Sequence, residues 1–156
     1  MLAVSGQLDD RMFGPGTLDE GMRRRSIYFF IKRSKLIPTM MLFDWPEHLV
    51  SIGRRSTTTT APQALLFLNN PHARGYAAGL AARLNGLEEA AAVERGFALA
   101  FQREPSKEER AAALAFLEEQ RKLHTAAGKN ARDAEQLARI DLCQTLMSMN
   151  EFVYVD

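Results

Sequence analysis

A chain of 156 residues, 46% apolar and 25% charged, is ordinary for a folded domain. This excludes wholesale disorder and allows burial of roughly two thirds of the unfolded surface without staples. The lone cysteine, Cys143, excludes an internal disulfide, a cysteine-built zinc site and Cys-x-x-Cys-His haem attachment, and no apolar run approaches the roughly 18 residues of a spanning helix. The net charge of +1 hides a local excess, since Arg23, Arg24, Arg25, Lys32, Arg33, Lys35, Arg54 and Arg55 face only Asp44 and Glu47 in their stretch.

In chain order, residues 1–22 read as the tail of a helix stopped at Gly6, then a loop broken by Gly14-Pro15-Gly16. A start inside a helix, without a leader peptide, leaves two expectations: a cytoplasmic protein, or a piece of a longer exported one. From Ile27 to Ile31, Ile27, Phe29 and Ile31 alternate with Tyr28 and Phe30, which predicts a short strand or extended segment in need of a pairing partner. Pro38 suits the first turn of a short helix over 39–43, which Pro46 ends.

After a loop at 53–60, the Thr60 cap, Pro62 and the Leu65-Leu66-Leu68 run predict a buried helix stopping at Asn69. Asn70-Pro71 caps the next, to Leu84 and Asn85-Gly86, with Gly75, Ala78, Gly79 and Ala82 as a small edge that permits close helix packing. Further helices are expected over about 87–102 and, from the Ser106-Lys107-Glu108-Glu109 capping box, over about 107–125. After a break at Gly128-Lys129-Asn130, the last helix, about 133–149, has an apolar arc wide enough to be central to the core. The closing residues 150–156 are aromatic and expected to dock. The reading is a mainly α single domain, about five helices in orthogonal or bundle-like packing with a short extended N-terminal segment. Residues 1–60 form an irregular basic segment and 61–156 the helical body.

No phosphate-binding glycine loop, nucleophile elbow or His-Glu-x-x-His helix is present, so no catalytic residue and no cofactor is assigned. His48, His72 and His124 lack a second ligand at helical spacing, and no metal site is placed on them; His72 reads as an exposed helix-end residue. The candidate ligand-binding residues are Arg24, Arg25, Tyr28, Lys32, Arg33, Asp44, Trp45 and Arg55. Cations interleaved with rings suit an anionic ligand, an acidic partner or single-stranded nucleic acid. Each has a plainer reading: the cations pair with the chain's own acidic helices, Asp44 caps a turn, Trp45 fills the core, and the rings pack a strand. Cys143, between leucines, reads as a small buried hydrophobe.

Several separated motifs also carry a resemblance: Arg24-Arg25-Ser26-Ile27-Tyr28 to Lys32-Arg33, Phe43-Asp44-Trp45-Pro46, Thr59-Thr60-Ala61-Pro62-Gln63-Ala64-Leu65, Leu68-Asn69-Asn70-Pro71, and Asn150 to Asp156, with Leu2-Ala3-Val4-Ser5-Gly6 and Gly14-Pro15. Together they resemble the C-terminal domain of unknown function of planctomycete-type multidomain proteins, which often begin with an export signal and a cytochrome c module. The resemblance implies an exported or envelope-associated parent and upstream domains of that parent as partners. It implies no established activity. The functions to weigh are therefore a non-catalytic interaction or scaffold module, a fragment of an enzyme acting on an anionic polysaccharide or other acidic ligand, and a nucleic-acid binder.

Overall fold

The computed structural model describes residues 1–32, 34–43 and 61–154. The protein is mainly α, 61% helical, with seven α-helices, five of them of seven residues or more, and no strand among the described residues. They are α1 Pro38–Met41, α2 Ala61–Asn69, α3 Pro71–Ala82, α4 Glu89–Phe101, α5 Lys107–Ala126, α6 Ala131–Ser148 and α7 Asn150–Val153. The anticipated 53–60 loop, the Thr60 cap and the Pro46 stop lie outside the described residues.

Local chemistry sets the helix ends. At α3, the Asn70 side chain accepts the His72 N–H at 2.7 Å while Pro71, which has no N–H to lose, fills the first helical position. Ser106 and Glu109 close both halves of the capping box of α5. Asn130, read from sequence as part of a break, instead starts α6 by accepting the Asp133 N–H. The break is Gly128-Lys129, where Gly128 takes a positive φ of 83° that a side chain would strain.

The core has two adjoining halves that share α6. Ala77, Leu80, Ala81 and Leu84 meet Ala92, Cys143 and Met147 in one; Val93 and Phe97 meet Ala113, Leu117, Ala138, Leu142 and Leu146 in the other. Both sets of α6 residues fall at helical spacing on adjacent faces, so α6 packs against α2, α3, α4, α5 and α7 at once. Cys143 is fully buried, and burial pushes its thiol up to about 12. Thiol-modifying reagents are expected to label it only after unfolding; labelling of the native protein on a timescale of minutes would show an opening of α6 that this packing does not allow.

The N-terminal part wraps onto this body. Residues 1–7 make one helical turn closed by paired bonds, Gly6 N–H to the Ala3 carbonyl and Gln7 N–H to the Leu2 carbonyl, with Gly6 at φ 71°. The turn docks on the small edge of α3 through the Gln7 amide, bonded to the Gly75 carbonyl at 2.9 Å, and through Arg83, bonded to the Val4 carbonyl at 2.6 Å. The small edge therefore receives this turn rather than a neighbouring helix. A Cβ at Gly79 would overlap the Gln7 amide and approach the Ser5 carbonyl to 3.0 Å, whereas one at Gly75 meets nothing within 4 Å. Gly75→Ala is expected to raise stability by about 0.5–1 kcal/mol from helix propensity. Gly79→Ala, with the same propensity gain, should lose it to the clash, which thermal melts of the pair will read directly.

Of the short strand or extended segment expected at 27–31, the extended form with a pairing partner is present and a regular strand is not. Ser26–Tyr28 is a single 3₁₀ turn, followed by one parallel bridge between Thr17 and Phe29, with Thr17 N–H on the Tyr28 carbonyl at 3.0 Å and Phe30 N–H on the Thr17 carbonyl at 2.8 Å. A second bridge, antiparallel, pairs Lys32 with Lys35. With one bridge residue and no ladder there is no buried face for the alternation to fill. Ile27 is 79% and Phe30 54% exposed.

At the other end, Arg103 fastens α7. Its guanidinium makes paired bonds to Glu109 and to Glu151, all between 2.7 and 2.8 Å. Hydrogen bonding to Arg103 holds Glu109 down to about 2 and lowers Glu151 as well. Because these folded-state values lie below the ordinary one, the stabilisation is complete above about pH 4.5 and is lost as pH falls towards about 2. Arg103→Ala should therefore flatten the acid limb of a stability-versus-pH curve in that window and leave its slope at neutral pH unchanged. An unaltered acid limb would refute the assignment.

Candidate functional site

The N-terminal arm, residues 9–43, crosses the end of the helical body and leaves a cleft of about 440 Å³ between residues 20–29, α1, and the α2–α3 corner. Its apolar wall is built from Phe29, Met40, Phe43, Leu66 and Phe67, with the rings of Phe43 and Phe67 tilted against each other at 5.3 Å. The N-terminal turn contributes Leu2, Ala3 and Leu8. The polar wall comprises Glu20, Arg24, Arg25, Ser26, Thr39, Asn70, His72 and Tyr76. His72 and Tyr76 stand four residues apart on α3, so one helix face delivers both.

Arg24 is a structural clamp. Its guanidinium donates to the backbone carbonyls of Arg11, Phe13 and Pro15 and lies 3.5 Å over the Tyr28 ring, while the Tyr28 hydroxyl accepts the Phe13 N–H at 2.8 Å. Together they tie the 11–16 loop to the turn at 26–28. Arg25, next in sequence, is exposed at the cleft rim and its side chain has no hydrogen bond or ion pair among the described residues. Lys32 and Lys35 lie elsewhere, lining a shallow apolar depression with Phe30, Leu36, Ile37, Met40 and Met41.

Thus Arg24 and Arg25 share the cleft wall, Tyr28 stands behind Arg24 outside the lining, and Lys32 faces a separate surface. Arg33, Asp44, Trp45 and Arg55 lie outside the described residues. None of Arg23, Arg24, Arg25, Lys32 and Lys35 makes an ion pair with a described carboxylate, and Arg23, Arg25, Lys32 and Lys35 are exposed, a solvated face as the plainer reading has it but without the pairing at these residues. Glu20 is held by the Thr39 hydroxyl, which fixes α1 to the arm. Burial raises the Tyr76 phenol above its usual value, opposed in part by the charge of Arg23. Sequence reasoning missed Tyr76; His72 is exposed in the first turn of α3, as read from sequence, and also lines the cleft. Their four-residue spacing behind a proline-capped start was the available sign.

A second polar constellation lies on the body. The Asp141 carboxylate on α6 takes Arg74 of α3 at 2.6 Å and His124 of α5 at 2.6 Å. Arg74 also donates to Gln144, whose own amide donates to the Phe67 and Leu68 carbonyls at the end of α2. Four helices are cross-linked through it. The arrangement acts as a strut between them. No group of three His, Cys, Asp or Glu side chains among the described residues gathers closely enough to hold a metal ion. Among the described helices none is long and apolar enough to cross a membrane.

The family model described as PSD1: Protein of unknown function (DUF1553) matches residues 1–117, three quarters of the chain. The chain belongs to this family. The match includes every described residue of the arm and the cleft, and ends within α5, before His124 and Asp141. No curated protein and no solved structure matches the chain.

Proposed function

We propose that the chain is a non-catalytic interaction module from the C-terminal part of an exported, planctomycete-type multidomain protein, and that its arm is the surface offered to the upstream domains of that parent. The observation that carries the reading is the arm's composition at the surface. Phe13 is 80% exposed, and Met12, Ile27, Phe30, Ile31 and Leu36 are all exposed, interleaved with Arg25, Lys32 and Lys35, cations without a partner among the described residues. Folded domains rarely leave so many large apolar side chains exposed in so short a stretch without something to cover them. Flanking cations select an acidic partner surface and steer its approach.

Lys32 and Lys35 sharpen the point. An antiparallel bridge pairs the two residues, which places them on one face of the backbone, and neither makes an ion pair with a described carboxylate. An acidic partner would supply one. Mixed with the upstream part of its parent, the purified chain should form a complex at tens of micromolar or tighter, weakened by Lys32→Glu with Lys35→Glu and by added salt. No association at that concentration would overturn the reading.

The enzyme-fragment alternative draws on one observation, the cleft beside Arg25. Its described lining holds a single carboxylate, Glu20, already engaged by Thr39. Glycoside hydrolysis of the usual kind needs two.

A further inference from the structure

The cleft has the make-up of a ligand site. A small-molecule site needs apolar wall area for affinity and a few convergent polar groups, not already satisfied, for orientation. Here the wall is Phe29, Phe43, Phe67 and Leu66, and four lining side chains, Arg25, Ser26, His72 and Tyr76, make no hydrogen bond among the described residues. Their polar neighbours are engaged: Arg24 by backbone carbonyls, Glu20 by Thr39, Asn70 by the His72 N–H. The space, about 440 Å³, falls inside the range of roughly 300–1,000 Å³ that such sites occupy.

Charge decides the class of ligand. Among the described residues lining the cleft, Arg25 is the only side chain with a full charge at neutral pH and no partner, and the one carboxylate, Glu20, is held by Thr39. The cleft therefore favours an anion, and its ring-rich wall asks for an apolar body attached to that anion. Guanidinium geometry suits a flat or branched oxyanion. Tyr76, a phenol held neutral at ordinary pH, can donate a second bond from the opposite, α3 side.

We infer that the cleft between the arm and the α2–α3 corner binds a small amphipathic anion, a ring- or chain-bearing carboxylate, sulfonate or phosphate, oriented by Arg25 and Tyr76. This goes beyond the interaction reading and does not depend on it, because Lys32 and Lys35 lie outside the cleft's described lining, their depression adjoining it only through Met40.

The test is a fluorescence titration of the folded chain with anilinonaphthalene sulfonate, alongside the uncharged phenylnaphthylamine. One saturable site per chain is expected, with the sulfonate bound more tightly than its neutral analogue. Arg25→Ala should weaken the sulfonate about tenfold or more, and Tyr76→Phe, which keeps the ring and the packing, about threefold. Lys32→Ala with Lys35→Ala should leave probe affinity unchanged even where it abolishes partner association, so failure of one proposal is separable from failure of the other. Absence of saturable binding, equal affinity for the two probes, or a loss with the lysine pair as large as with Arg25→Ala would each overturn the inference.

Discussion

Met147→Ala should lower the unfolding free energy by about 2–5 kcal/mol, and the upper part of that range is expected. Met147 is fully buried, and its neighbours in the cluster include Ala77, Ala81 and Ala92, side chains too short to move into the vacated volume. A cavity that cannot collapse adds its own cost to the lost transfer free energy. The substitution also tests the claim that α6 organises both halves of the core, since Met147 sits one residue from Leu146, which serves the other half. Urea unfolding should show a lower midpoint at an unchanged slope. A loss under about 1 kcal/mol would mean that α6 is not the central helix.

The second large effect is expected from Asp141→Ala. Removing this mostly buried carboxylate takes the partner from both Arg74 and His124, leaving Arg74 only Gln144. Stranding one side of a buried pair usually costs several kcal/mol, but Arg74 keeps enough water contact to reduce the figure to about 1–3 kcal/mol. The loss should depend on Arg74. In a double-mutant cycle with Arg74→Ala the two changes should cost less together than their sum by about 1 kcal/mol, and strict additivity would show that the contact carries no coupling. Because the strut reaches the Phe67 and Leu68 carbonyls through Gln144, the variant is also expected to loosen the end of α2 that forms one wall of the cleft.

The helices were legible wherever a cap and an apolar period coincided. Asn70-Pro71 and Ser106 with Glu109 named their own starts because those side chains satisfy backbone N–H groups locally. Asn130 was missed as a cap because the glycine two residues before it drew the break too late. At 27–31 the extended, paired form was legible but not the absence of a regular strand: alternation shows which side chains share a face, but the ladder that would use the face depends on distant residues, and among the described residues Thr17 alone pairs with this segment. For the site, the residue types were readable and their destinations were not. Arg24 and Arg25 are adjacent and chemically alike, yet one is held by three carbonyls of a loop and the other is left facing the cleft. Nothing local distinguishes them.

The central claim is that the arm is a folded element laid on the helical body, and amide hydrogen exchange at Thr17 and Phe30 tests it most directly. Their N–H groups donate across the single bridge to the Tyr28 and Thr17 carbonyls, and neither residue lies within a helix that could protect it otherwise. Exchange slowed at least about a hundredfold relative to an unstructured chain is predicted. Exchange at the unstructured rate, while α3 and α6 stay protected, would contradict the account.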